Sequence, residues 1–353
     1  GNRSAMDSFG LFMRYMNDEY KPLPSSIIAE GIDCFGVAGD RGDVAMVGYG
    51  AARYALASGN RNEAEKLWPL IEWCLEYCHR QLNVDGVVKS DSDELENRFP
   101  AGKANLCTSS LYYDALISAA YLGKALKKEH KQIKSYQDRA AELYKNIDVY
   151  FARNVEGYDT YRYYDGNTVL RSWICIPLTM GIYEQAKGTV EALFSDKLWM
   201  ENGLLTQSGT STYWDRSTLY AFRGAYSCGA RDIATEYLDK YSATRLLGVP
   251  YAVEAWPEGN QRHLSTESAL YCRIMTEGLF GIRPIALDAF VMTPQLPESW
   301  NMMSLKRVCA FGSIFDIEVK RDKDNKLSVL IKKDHKIVKR SKIMNGKPIE
   351  VRI

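Results

Sequence analysis

Apolar positions recur at helical spacing along most of this chain. Arg61 to Leu82 carries Ala64, Leu67, Leu70, Ile71, Cys74, Leu75 and Cys78, a stripe of period 3.6 that predicts one amphipathic helix. Asp43 to Ser58 is rich in Ala with small residues on one face. The same spacing predicts helices over Asp7–Tyr20, Leu106–Lys127, Lys131–Phe151, Arg171–Tyr183, Gln185–Leu193, Ser217–Cys228, Ala230–Leu246 and Ser265–Leu279. Turns as short as Ser58-Gly59-Asn60-Arg61 and Cys228-Gly229-Ala230 join neighbours into antiparallel hairpins. Longer polar loops separate the hairpins: Ile32–Gly42, Asp85–Asn105, Gly157–Thr168, Leu204–Arg216 and Gly248–Leu264. Loops of that length usually carry function.

The texture changes after Pro284. Alternating runs at Phe315–Lys320, Lys326–Lys332 and Lys336–Lys339, then Asn345-Gly346 before Ile349–Ile353, predict a β meander. The expected architecture is therefore all-α, a toroid of helical hairpins over residues 1–284, followed by a small C-terminal antiparallel β-sandwich over 285–353. From Ser304 to Ile353 there are 14 Lys and Arg against 6 Asp and Glu, a balance of about +8. The basic residues alternate with apolar ones as strand geometry demands. That favours solvated outer faces and protected edges over a polyanion surface.

Composition narrows the function classes. Over 353 residues the net charge is +1, which removes a global basic field for nucleic acid. No apolar run is long enough to span a membrane. Four scattered His (His79, His130, His263, His335), with no HExxH and no CxxC, leave no zinc pattern, and no cofactor is expected. The eight Cys are expected as buried free thiols. The first residues show no signal peptide, and the compartment stays open between cytoplasm and periplasm. Oligomeric state is not legible.

Aromatic residues reach 12%, and some of them stand beside acids in the long loops. Three acidic clusters result: Asp40-Arg41-Gly42-Asp43, Asp91–Glu96, and Glu254 to Glu258 with Glu267 beyond. A pair of carboxylates across a cleft suffices for glycoside hydrolysis, and aromatic faces stack on sugar rings while keeping the acid's surroundings apolar.

The run Tyr213-Trp214-Asp215-Arg216-Ser217, then a hairpin, then Tyr251-Ala252-Val253-Glu254-Ala255-Trp256-Pro257-Glu258-Gly259, then Ser265-Thr266-Glu267-Ser268-Ala269, resembles the end of an (α/α)6-barrel glycosidase. It is most similar to family 63-type glucosidases and mannosidases and their six-hairpin relatives. Lys89-Ser90-Asp91-Ser92-Asp93, with Arg98-Phe99 and the helix from Leu106, resembles the loop that presents the general acid. Glu277–Ile282 to Leu296–Trp300 is similar to the barrel-to-β junction of rhamnosidase-like enzymes. The resemblance covers about residues 30 to 320. It implies an inverting glycosidase acting on an oligo- or polysaccharide, with Asp93 as acid and Glu254 as base.

Arg41, Asp43, Arg98, Tyr213, Trp214, Asp215, Trp256, Glu258, His263 and Glu267 are the expected sugar-binding residues. Other roles stay open for several of them. Arg41 and Asp43 also suit a helix start and an internal ion pair, Trp214 and Trp256 suit core packing, and Glu267 suits a helix N-terminus.

The chain departs from the family pattern in places. The family's YWRG is YWDR here, and two extra residues precede Arg98-Phe99, so Asp91, Glu94 and Glu96 compete with Asp93. Ten helices are predicted rather than twelve, and the family's N-terminal β domain has no counterpart, so a trimmed member or a piece of a longer protein is expected. Two further readings are a silent carbohydrate-binding scaffold, and a uronic-acid lyase or epimerase using His263, Arg262, Arg216 and tyrosines.

Overall fold

The computed structural model describes residues 2–24, 40–95, 98–246, 255–256 and 266–353. It divides into two compact units. The first holds residues 1–152, 162–167 and 284–287, and the second 153–161, 168–283 and 288–353.

Among the described residues, the first unit holds five helices: α1 (Asn2–Met13), α2 (Asp43–Ser58), α3 (Arg61–Arg80), α4 (Leu106–Leu126) and α5 (His130–Phe151). α2 packs on α3 and α4, and α4 on α5. The α2–α3 turn forms as its residues demand. Gly59 ends α2 at φ 69°, and the Asn60 side chain caps α3 by accepting from the Asn62 and Glu63 amides at 3.0 and 3.3 Å. Small residues let α2 approach closely, since a Cβ on Gly48 would lie 3.0 Å from Cys74 Cβ. The stripe from Ala64 to Cys78 is buried as expected. The first helix is a correction. It spans Asn2–Met13 and not Asp7–Tyr20, because the chain turns at Arg14 and again near Tyr20, which has φ 52°.

In the second unit, β1 (Ala152–Val155) and β2 (Tyr158–Tyr161) form a hairpin through Gly157. A 3₁₀ turn at Ser172–Cys175, α6 (Ile176–Met180) and α7 (Ala186–Leu193) follow. The predicted helix over Arg171–Tyr183 is thus a 3₁₀ turn and a five-residue helix, ended at Gly181 in the left-handed region. Next come β3 (Trp199–Met200), β4 (Gly203–Leu204), β5 (Tyr213–Trp214), α8 (Asp215–Ser227), α9 (Arg231–Tyr241), β6 (Ala255–Trp256) and α10 (Thr266–Arg273). The last continues as a π-helical turn, Ile274–Leu279.

The C-terminal strands are β7 (Ile282–Ala286), β8 (Ala289–Met292), β9 (Met302–Ala310), β10 (Ser313–Arg321), β11 (Leu327–Lys333), β12 (Lys336–Ile343) and β13 (Ile349–Arg352). β9 to β12 form the antiparallel meander, in order β12-β11-β10-β9. β13 leaves it to pair with β8, placing Val351 opposite Phe290. Phe290 then stacks on Phe311 and Phe315 at 5.1 and 5.6 Å between ring centres, which joins the two sheets through an aromatic core. Much of the basic surplus is paired on the strands and turns: Lys320 with Glu318 at 2.8 Å, Lys306 with Asp316 at 3.7 Å, and Lys342 with Asp322 at 2.6 Å. The all-α expectation is thus too narrow: the chain is mainly helical, with several small sheets besides the C-terminal ones. No described helix is long and apolar enough to cross a membrane.

Candidate functional site

In the first unit the sequence-predicted residues gather where the loop before α4 meets the head of α2. Asp40 and Asp91 clasp the two segments together: the Asp91 amide donates to the Asp40 carbonyl at 3.0 Å, and the Asp40 amide donates to Asp91 Oδ2 at 2.9 Å. Ser90 Oγ donates to the Ser92 carbonyl at 2.8 Å, and Asn105 Nδ2 donates to the same carbonyl at 3.1 Å. Asn105 also caps α4, its Oδ1 accepting from the Thr108 amide at 2.9 Å. One network therefore fixes the acidic loop to a helix start.

Asp93 sits inside this network and is 2% exposed, its Oδ1 accepting from the Leu95 amide at 2.9 Å. Arg41 Nε lies 3.7 Å from Asp43 Oδ2. Asp43 is the first residue of α2, but the helix has no side-chain cap. Gly42 occupies that position at φ 88°, where a Cβ would come within 2.6 Å of Thr108 Oγ1. Arg98 is exposed, and its amide closes a turn onto the Leu95 carbonyl at 2.9 Å.

Asp40 is the residue that sequence reasoning left in the background. Its carboxyl is 3% exposed and accepts from the Gly42 amide at 2.9 Å and from the Tyr77 hydroxyl. Burial, reinforced by the Asp43 charge, pushes its pKa up to about 6. The sequence signal was present as an acid beside a Gly-rich turn, but its burial by α3 was not legible. The thiols of Cys74 and Cys78 are also pushed up, first by burial and then by the charge of the same Asp40.

In the second unit, β5 pairs with β6, which sets Tyr213 opposite Trp256 and Trp214 opposite Ala255. The backbone thus joins the two aromatic motifs expected to form the site. Trp214 is 2% exposed, with its ring centre 4.3 Å from that of Trp173. It is part of the core behind the strand, which corrects the expectation of an open stacking platform. Asp215, in the first turn of α8, is buried as well. Arg216 reaches out of that turn, and its Nε donates to Glu267 Oε1 at 2.9 Å. Glu267 is fully buried in the first turn of α10. The remaining expected residues, Glu254, Glu258 and His263, lie outside the described residues, as does the side chain of Trp256. Glu96, an alternative acid, also lies outside them.

Of the cysteines expected as buried thiols, Cys74, Cys78, Cys107 and Cys175 are buried. Cys272 and Cys309 are exposed, because each faces outward on its helix or strand.

The fold is similar to that of several solved structures at low sequence identity. A sialidase structure matches 92% of this chain with 34% of its own length, at TM-score 0.66 and 14% identity. An alpha-L-rhamnosidase from Dictyoglumus thermophilum matches 99% of this chain with 42% of its own length, at TM-score 0.57 and 12% identity. A conserved protein from Thermus thermophilus matches 77% of this chain with 88% of its own, at TM-score 0.55 and 14% identity. The chain therefore spans well under half the length of the first two. No family model matches the sequence, and no curated protein matches it.

Proposed function

We propose that this chain is the helical part of an inverting glycoside hydrolase, its hairpins closing an (α/α)6 toroid over residues 1–284. The observation that carries the reading is the cluster of Asp40, Asp43, Asp91 and Asp93, of which Asp40 and Asp91 are hydrogen-bonded to each other and Asp93 is buried beside them, in a chain whose fold is similar to solved glycosidases. The motif order from Tyr213 to Glu267 supports it. So do the neighbours, a sialidase and a rhamnosidase, which act on glycosidic bonds. In the proposed step, Asp93 gives its proton to the glycosidic oxygen as the bond from that oxygen to the anomeric carbon breaks. Glu254 takes a proton from a water whose oxygen attacks the opposite face of the sugar. The substrate is an oligo- or polysaccharide, and no cofactor takes part.

A second reading concerns the acid alone. Asp40 is a carboxyl of the cluster with a pKa raised to about 6, the property a proton donor near neutrality needs. Asp93→Asn and Asp40→Asn separate the two. The variant that removes the acid should lose roughly 100-fold or more on nitrophenyl glycosides, with far less loss on dinitrophenyl glycosides, whose leaving group needs no proton. If both variants lose equally on both substrate types, neither carboxyl is the donor. The first-formed anomer followed by NMR tests inversion, and a retained product would rule out the single displacement.

A further inference from the structure

A cavity of the second unit is lined by none of the residues given a role in hydrolysis above. It holds about 650 Å3, the size of a small ligand, between α9, α10 with its π-helical turn, and the corner Pro297–Trp300. We infer that this cavity is an accessory binding site for a neutral glycan. The glycosidase reading supplies the ligand class, but the site itself rests on its own geometry.

Trp300 is 38% exposed and lines the cavity, an open aromatic surface of the kind that sugar rings stack on. The corner that carries it is rigid. The Trp300 amide donates to the Pro297 carbonyl at 3.1 Å, and Arg321 Nη2 donates to the same carbonyl at 2.7 Å. The Glu298 amide donates to Asp232 Oδ1 at 2.8 Å, which ties the corner to α9. Asn345 holds it from the other side, its Nδ2 donating to the Leu296 carbonyl at 2.7 Å. A preorganised platform gives up little entropy when a ring settles on it.

The polar lining suits hydroxyl groups. The Ser242 hydroxyl donates to the Leu238 carbonyl at 2.6 Å and accepts from the Tyr271 hydroxyl at 2.8 Å, which leaves oxygen lone pairs to accept from sugar hydroxyls. Four carboxylates line the cavity and, among the described residues, no Lys or Arg does. Glu236 is bound to Lys240 at 2.6 Å, and Asp232 lies 3.7 Å from Arg231 Nε. Exposed carboxylates accept from vicinal sugar hydroxyls and repel a uronate or any other anionic sugar.

The test is calorimetric titration of the full chain, turnover silenced by Glu254→Gln, with maltotriose, cellotriose, mannotriose, xylotriose and trigalacturonate. At least one neutral trisaccharide is expected to bind. Trp300→Ala should weaken that binding by roughly tenfold, and Trp300→Phe, which keeps a stacking face, should restore most of it. In the otherwise native chain, Trp300→Ala should leave turnover of a nitrophenyl monoglycoside within about twofold. Absence of Trp300-dependent binding by every neutral sugar, or trigalacturonate binding as tightly as they do, would overturn the inference. Failure to turn over any aryl glycoside would instead count against the glycosidase reading and leave the titration result to stand by itself.

Discussion

Asp40 carries the most direct consequence at the scale of single residues. Its carboxyl holds its proton in the folded state up to about pH 6, whereas the unfolded chain releases it near the ordinary value of 3.8. Between these values the native state binds more protons than the unfolded state, so stability falls as pH rises. The contribution present below pH 4 is lost above pH 6, about 3 kcal/mol for one group. Asp40→Asn keeps a neutral acceptor for the Gly42 amide and should flatten this slope. Thermal melts at pH 4 to 7 check it: the native chain should lose melting temperature across the window relative to the variant, and parallel profiles would refute the assignment. The sequence showed an acidic, Gly-rich turn at this place. It did not show that α3 would cover one of the acids, because burial is a property of the tertiary packing. Trp214 teaches the same lesson in reverse: an aromatic residue beside acids reads as a platform, yet the ring is claimed by Trp173.

Among the elements, the helices that obey a clean 3.6 period were legible to within a residue or two, because their stripe and their turns agree. α2 stops before Gly59 and α3 starts after Asn60, as the residues require. Over Arg171–Tyr183 the predicted helix dissolves into a 3₁₀ turn and a short helix that Gly181 ends. Strands β7, β8 and β9 lie outside the predicted runs, because partners decide strands more than propensity does. The packing of α7 on β2 depends on Gly188, where a Cβ would lie 1.8 Å from the Asp159 carbonyl oxygen. Gly188→Ala must push the helix off the hairpin, and it should destabilise the protein by about 3 kcal/mol in urea unfolding. A change within about 0.5 kcal/mol would show that the contact is not tight.

For the whole molecule, the mainly helical fold and the strands near the C-terminus were readable from periodicity. The chemistry was readable only as a set of loops that periodicity does not join. The structure ties one set of acids to the start of α2 and joins two aromatic motifs through β5 and β6, each within its own unit. In the proposed reaction, Glu254 is the base of a single-displacement glycosidase. The most direct test of that role is turnover of the best substrate from a nitrophenyl glycoside screen by the native chain and by Glu254→Gln. The variant should lose at least about 100-fold in kcat, with little change in KM. Turnover within a few-fold of the native chain would contradict it.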